Sequence, residues 1–466
     1  MARVALISPP FLPEYMRNAR CDFVSLSGTQ WYPILLGYCG AYLEGRGHDV
    51  LFIDAPAAGL DHAAALAKIA RFRPELVAVY TGLMSESNDV RFCDDLIETQ
   101  GTNVVAVGPY ASIDPPALLG KAKRLDKLVV GEFERAVGQL IEGVALGAVD
   151  GLTWRQAGSL RENSRGSYLT GPELDAIPFV SRFFKKHVHL AHYRTSSEPH
   201  PFMDIMTGRG CAWGLCTYCL WVHTYVKGRT YNVRSIGNVI EELRYIQSEL
   251  PEVRSVMLQD DTLTEERAMA LAEAKIRGRL TIPWSCYARA ELSYETLLAM
   301  KRAGCLNLHV GYESASPRVL KRIRKGISVE RMERFTRDAK RAGLHIHGDF
   351  ALGFPGETMA EAQQTVRMAK RLNPESAQFQ LMIPFPGTPF HDDMDANGWL
   401  NAEGQPDMPQ FSNNQIREVA KHAYRAFYLR PTHLWRCIRH PHRYVFSKYR
   451  TIRRAIPAMF WKRWEV

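Results

Sequence analysis

Short apolar runs separated by helix-like stretches recur in two series along these 466 residues, and this alternation constrains the fold more than any other feature. The first series is Val4 to Ile7, Val50 to Ile53, Leu76 to Tyr80, Val104 to Val107 and Leu128 to Val130. Strands that alternate with helices pair in parallel, so this half predicts a doubly wound α/β sheet. Ligands of such sheets bind beyond the carboxyl ends of the strands. Those ends carry Ser8-Pro9-Pro10, Asp54-Ala55-Pro56, Tyr80-Thr81-Gly82, Gly108-Pro109-Tyr110-Ala111-Ser112 and Gly131-Glu132. The second series, from Phe202 to about Gly398, holds six strand candidates: Asp204 to Thr207, Val256 to Gln259, Trp284 to Arg289, Asn307 to Glu313, His345 to Gly353 and Gln378 to Ile383. The length suits two or three domains. The pattern divides the chain into an N-terminal sheet domain (1–145), a surface connector (146–200), a second α/β domain (201–400) and a helical C-terminal region (401–466).

The chemistry concentrates in Gly208-Arg209-Gly210-Cys211-Ala212-Trp213-Gly214-Leu215-Cys216-Thr217-Tyr218-Cys219, directly after the first strand of the second series. Three of the nine cysteines fall in this span, while Cys21, Cys39, Cys93, Cys286, Cys305 and Cys437 stand alone. Clustered thiolates select zinc, copper(I) or an iron–sulfur cluster. Structural zinc normally takes a fourth protein ligand from a second knuckle, and no such knuckle follows. A 4Fe–4S cluster held by only three thiolates leaves one iron open to a small molecule. Zinc, or a purely structural loop, is the alternative. An odd cysteine count argues against a disulfide framework and for metal or redox use.

Strand alternation indicates which side chains line the interior of the second domain. On the fourth strand, Leu306, Leu308, Val310 and Tyr312 oppose Asn307, His309, Gly311 and Glu313. On the fifth, Leu344, Ile346, Phe350 and Leu352 oppose His345, His347, Asp349 and Gly353. Helices need the apolar face, so the polar faces look inward, joined on the sixth strand by Gln378, Gln380 and Met382. His309, His345, His347 and Asp349 are the candidate catalytic residues of this lumen. A structural role is the alternative for any one of them.

The cysteine triplet resembles that of the radical SAM superfamily, with the aromatic Tyr218 before the last cysteine and four residues between Cys211 and Cys216 where the family usually has three. The resemblance implies that Cys211, Cys216 and Cys219 hold a 4Fe–4S cluster whose open iron chelates S-adenosylmethionine (SAM). It also implies an open six-stranded partial (β/α)6 TIM barrel, with the chemistry at the C-terminal strand ends. Gln259-Asp260-Asp261 stands where the family has an acidic contact to the SAM amino group, and Arg289 is a candidate for the SAM carboxylate. Gly311-Tyr312-Glu313-Ser314 resembles the family's fourth-strand motif, whose Glu lies near the SAM ribose, and Gly353-Phe354-Pro355-Gly356-Glu357-Thr358 the turn that approaches adenosine. Pro384-Phe385-Pro386-Gly387-Thr388-Pro389 closes the series. The SAM candidates are therefore Tyr218, Asp260, Asp261, Arg289, Glu313, Gly353 and Gly356, with Arg209 and Asp204 in support.

The first series resembles the Rossmann-like cobalamin-binding domain that precedes many radical SAM domains. Ser8, Thr81, Gly108 and Ser112 become the candidate cobalamin contacts. The Asp-x-His-x-x-Gly signature is absent, so cobalamin would carry no protein histidine on cobalt. A scaffold with an empty cleft is the alternative. Cys219-Leu220-Trp221, Trp284-Ser285-Cys286, Lys301-Arg302-Ala303-Gly304-Cys305 and His347-Gly348-Asp349-Phe350 are also similar to the bacteriohopanetetrol cyclitol ether synthase group of hopanoid biosynthesis.

These resemblances imply an enzyme that cleaves SAM to a 5′-deoxyadenosyl radical and abstracts hydrogen from carbon. Cobalamin-dependent methylation is the leading reaction; rearrangement or cyclisation of a lipid-linked sugar is the alternative. A transfer-RNA methylthiotransferase is disfavoured, because the first domain lacks a second cysteine triad, and an iron–sulfur redox or scaffold protein ranks last. The expected partners are a small-molecule or lipid-linked substrate and a low-potential flavodoxin- or ferredoxin-like electron donor. The net charge is +10, and from Tyr428 onward ten Lys or Arg stand against one acid, Glu465, so nearly all of it lies in the tail. There Trp435, Tyr444, Phe446, Tyr449, Phe460, Trp461 and Trp464 interleave with the basic residues. A helical cap with a solvated basic face is the plain reading. A peripheral membrane contact comes second, and RNA third, since no RNA-binding module is recognisable. No run reaches the roughly 18 apolar residues of a membrane span, and MARVALISPP lacks the pattern of a signal peptide. A cytoplasmic protein is expected.

Overall fold

A computed structural model describes residues 1–18, 22–25, 27–446 and 448–460; Cys21, Trp461 and Trp464 lie outside the described residues. The first sheet comprises β1 (Arg3–Ser8), β2 (Asp49–Asp54), β3 (Leu76–Tyr80), β4 (Val104–Val107), β5 (Lys127–Val129), β6 (Leu152–Gln156) and β7 (Ser159–Glu162), in the order β2-β1-β3-β4-β5-β6-β7. The first five are parallel. Because side chains alternate along a strand, each feeds two cores. Ala5 and Ile7 enter one cluster with Val77, Val79, Val104 and Ala106, while Val4 and Leu6 enter the other with Ala78, Val105 and Val107. The second cluster continues without a break into the barrel.

The expected surface connector is largely structural. Strand β6 pairs antiparallel with β5, which buries Leu152, Thr153 and Trp154, and β7 pairs antiparallel with β6 at the sheet edge. Farther on, helix Val180–His187 buries Val180, Phe183 and Phe184, spaced at three and four residues. It packs on helix Ile34–Gly45, where a Cβ at Gly37 or Gly40 would land on the rings of Phe184 or Phe183. Tyr193 stacks on Tyr32 at 3.9 Å and donates to Asp54 at 3.1 Å.

The second sheet is a six-stranded, all-parallel partial barrel in sequence order: β8 (Phe202–Ile205), β9 (Ser255–Leu258), β10 (Trp284–Ala288), β11 (Cys305–Glu313), β12 (His345–Leu352) and β13 (Ser376–Leu381). Its helices start on hydroxyl caps, including Ser235, Thr264, Ser293, Ser328 and Thr358, each accepting a backbone N–H of the first turn. Leu308, Val310 and Tyr312 face these helices fully buried, and the Tyr312 hydroxyl meets that of Thr336 at 2.6 Å. Edge strand β13 is covered by helix Asn413–Tyr428. The Tyr424 hydroxyl accepts the Phe379 N–H, and the Tyr428 hydroxyl bridges the N–H and carbonyl of Ala377. These bonds occupy backbone groups that would otherwise pair with another chain.

Below the lumen sits Glu198, 7% exposed. Burial pushes its carboxyl up to about 8, offset only in part by the nearby hydroxyls of Ser285 and Ser255. Its folded form holds a proton that the unfolded chain releases near pH 4, so stability falls as pH rises from about 4 to about 8. Glu198→Gln is expected to flatten the decline across that window, measured as Tm against pH.

Candidate active site

After β8 the chain forms a short ribbon, Gly208–Gly210 antiparallel to Tyr231–Val233, that presents the cysteine loop. Gly210 takes φ +83°, and a Cβ there would land on the Thr230 carbonyl. Two carboxylates from the end of β9 hold this turn. Asp260 accepts the Thr207 N–H at 2.6 Å and hydroxyl at 2.5 Å, and Asp261 accepts the Gly210 N–H at 3.0 Å. Asp260, fully buried on Thr207, supports the loop from behind.

The loop docks on Ile323-Arg324-Lys325-Gly326, a turn that sequence reasoning passed over. Thr217 N–H donates to the Ile323 carbonyl at 3.1 Å and Trp213 Nε1 to the Arg324 carbonyl at 2.9 Å. The Trp213 ring lies over the bare Cα of Gly326 and carries the Arg289 guanidinium 4.8 Å from its centroid. Gly214, at φ +58°, sits tight against Gly228. Trp213 and Gly214 thus fix the longer Cys211–Cys216 span in one conformation.

Beside the cysteines stands a buried polar group. Tyr218 donates to Glu313 at 2.9 Å, and Lys325 Nζ reaches Glu313 at 2.8 Å and the Tyr218 oxygen at 3.3 Å. Glu313 adopts φ +63°, a conformation costing a non-glycine residue about 1–3 kcal/mol. A Cβ at Gly311 would meet its carboxylate. Burial disfavours the Lys325 charge, but Glu313 holds its pKa above the usual range. Arg289 donates to Glu291 at 2.8 Å and to the Lys325 carbonyl at 2.9 Å.

Cys216 is buried, and Cys211 and Cys219 are half-buried. Desolvation raises the Cys216 thiol against the pull of Lys325 and Arg289, and pushes Cys219 up to about 12. Such thiols ionise when a metal takes their sulfur. Among the described residues, no three His, Cys, Asp or Glu side chains converge on a point that would hold one ion. A 4Fe–4S cube takes one thiolate per iron, so its ligands stand around a body and not about a centre. The loop fits that group.

Inside the barrel the polar faces come together. The rings of Tyr287, His309 and His347 follow one another at 5.1 and 4.8 Å, and His347 contacts Ser376 at 2.7 Å and Asp349 at 3.4 Å. His345 is half-buried at the lower end of β12. Trp31 enters from the first domain and meets His309 edge-on at 6.2 Å, a contact no sequence pattern signalled. Gly353, at φ +92°, and Phe354 donate their N–H groups to Glu357, whose buried carboxyl is pushed up to about 8. Gly356 lies under Arg322.

The strand ends of the first domain divide in two. Ser8 is turned beneath the fully buried Arg17, which pairs with Asp89 at 2.7 Å and fills the crevice between β1 and β3. Thr81, Gly108 and Ser112 form a continuous ledge. Thr81 donates to the Val107 carbonyl at 2.9 Å, and Ser112 donates to the Gly108 carbonyl at 3.0 Å and accepts the Gly131 N–H at 2.9 Å. The ledge faces the turn Trp221–Tyr225 of the barrel. In this seam Arg209 reaches Glu132 at 2.9 Å and Glu134 at 2.5 Å, while the Tyr225 hydroxyl and one Glu134 oxygen are buried without hydrogen-bond partners. Glycine-lined strand ends beside orphaned polar atoms suit a polar ligand between the domains.

Gly326→Ala is expected to push Trp213 aside and lower iron retention after anaerobic reconstitution. Gly398→Ala, which has a positive φ but open space around it, should retain iron like the parent.

Comparison with known proteins bears on this site. The radical SAM superfamily model matches residues 205–369. An uncharacterized methyltransferase of Pyrococcus horikoshii is 29% identical over 439 residues, covering 90% of this chain and 93% of that protein. The cytidylyl-2-hydroxyethylphosphonate methyltransferase of Streptomyces wedmorensis is 24% identical over 432 residues, covering 80% and 79%. The fold matches that of the radical SAM methyltransferase TsrM from Kitasatospora setae, solved with cobalamin and a 4Fe–4S cluster, at a TM-score of 0.64 and 20% identity, covering 84% of this chain and 77% of that one. The likeness to the hopanoid cyclitol group gains no support from these relatives. The matched segment lies across the barrel and its three-cysteine loop, so residues 205–369 form a radical SAM domain.

Proposed function

We propose that this radical SAM enzyme methylates a carbon of a small-molecule substrate, using cobalamin held between its two domains. One observation carries the reading: Arg209, two residues before Cys211, is ion-paired to Glu132 and Glu134 just past strand β5. The ligand-binding edge of the first sheet and the cysteine loop therefore face the same seam. The names of the relatives, methyltransferases matched over 93% and 79% of their own lengths, support it.

When bound, the cluster and SAM supply the hydrogen-abstracting radical and cobalamin the methyl group. This chain's residues bind and orient. Cys211, Cys216 and Cys219 would hold the cluster. Tyr218, Glu313 and Arg289, gathered beside Cys216, would face the polar parts of SAM, with Lys325 fixing the Glu313 carboxylate. Gly353 and Gly356 would shape the turn whose backbone approaches adenosine, and Asp260 and Asp261 keep the loop in place. Thr81, Gly108 and Ser112 would offer a ledge to cobalamin, whereas Ser8, covered by Arg17, would not reach it. His309, His347 and Asp349 would position the substrate, whereas His345, at the N-terminal end of β12, lies away from the cysteine loop. A flavodoxin- or ferredoxin-like protein would deliver the electron.

Anaerobic reconstitution followed by iron, cobalt and 5′-deoxyadenosine analysis tests this. Iron at about four per chain, with stoichiometric cobalt and SAM cleavage, is expected. SAM cleavage without affinity for cobalamin would overturn the methylation reading in favour of rearrangement or cyclisation. Cys216→Ala should abolish both iron binding and SAM cleavage, and a full iron complement in that variant would refute the cluster assignment.

A further inference from the structure

We infer that helix Pro431–Arg439 and its flanks form a docking surface for an anionic lipid bilayer, independently of the reaction assigned above. The helix buries none of its residues. Leu434 (45% exposed), Trp435 (60%) and Ile438 (71%) occupy positions i, i+1 and i+4, which place them on one side of the helix. Leu429, Tyr449 and Ile456 add exposed apolar surface from the neighbouring segments. Exposed large apolar side chains gathered in this way mark an interaction site, where scattered ones would not.

The charge around them selects the occupant. Arg439, Arg450 and Arg453 are exposed in the same region. From Tyr428 to the C-terminus the only acid is Glu465, and the remainder of the chain is close to neutral. The positive field of the molecule is therefore confined to the end that carries the bare apolar face. Tryptophan and aliphatic side chains projecting from a short helix, with exposed arginines at its end and on the helix that follows, suit the interfacial layer of a membrane, where the rings and methyls enter the acyl boundary and the guanidinium groups meet phosphate. Nucleic acid would reward the arginines and leave Leu434 and Ile438 without apolar contact. No helix among the described residues is long and apolar enough to cross a membrane, so the contact is peripheral.

The side of attachment leaves the active site free. Arg436 donates to the carbonyls of Asn373 and Pro374, just before β13, which anchors the helix at the N-terminal end of the barrel strands. The cysteine loop follows the C-terminal end of β8, at the opposite end of the barrel.

Flotation of the full-length, cluster-loaded protein with phosphatidylcholine vesicles, with and without phosphatidylglycerol, tests the proposal. The expected result is flotation with the mixed vesicles, little with phosphatidylcholine alone, and loss as salt is raised. The double variant Trp435→Glu/Ile438→Glu should lower the partition coefficient by roughly tenfold or more with unchanged iron content, because both side chains are already in water. Flotation that is absent, equal on neutral vesicles, or unchanged in the double variant overturns it. So does finding that the same face holds a second copy of the chain, seen as a dimer that the double variant dissociates, or an acidic electron donor that competes with vesicles.

Discussion

Everything in the proposed chemistry depends on one buried guanidinium. Arg209 is 3% exposed and lies between two carboxylates, Glu132 and Glu134, that belong to the other domain. Burying such a triad costs desolvation that its attraction roughly repays, so it adds little net stability. Its value lies in specificity: with one partner removed, the uncompensated charges left behind cost about 3–5 kcal/mol. The domains therefore cannot slide past one another at this point without breaking the triad. Two residues farther along the chain comes the first cysteine, so the constraint on domain register is also a constraint on where the cluster sits.

A second layer of fixation comes from the barrel itself. Asp260 and Asp261 tie the start of the cysteine loop to β9, while the carbonyls of Ile323 and Arg324 hold its middle. The extra residue between Cys211 and Cys216 leaves the loop no slack, because Trp213 is seated on Gly326 and under Arg289. With the start and the middle pinned, the three sulfurs are presented by backbone that is set before any metal arrives, which is the condition for precise ligation.

Much of this was legible in the sequence because it is local. Alternation along β11 and β12 placed His309, His347 and Asp349 together on the inner face, since a strand's side-chain period is fixed. The cysteine spacing and the strand-end motifs are likewise short-range. What escaped depends on tertiary contact. Lys325 reads as one basic residue in a polar turn until Glu313 and Tyr218 close on it. Gly326 shows its purpose only under the ring of Trp213, and Trp31 belongs to the lumen only because the two domains pack. Residues 152–162 fall within the expected surface connector, yet pairing of β6 with β5 and of β7 with β6 makes them strands. Ser8 stands at a ligand-binding strand end by pattern, but Arg17, nine residues farther along, covers it.

In the proposed function the cysteine loop and the first domain act as one unit through Arg209. Cobalt retention and the electron paramagnetic resonance spectrum of the reduced cluster, recorded together on the reconstituted parent and on Arg209→Met, test it most directly. The account predicts that the variant folds, loses most of its cobalt and shows an altered cluster spectrum. Full cobalt retention with an unchanged spectrum would contradict it.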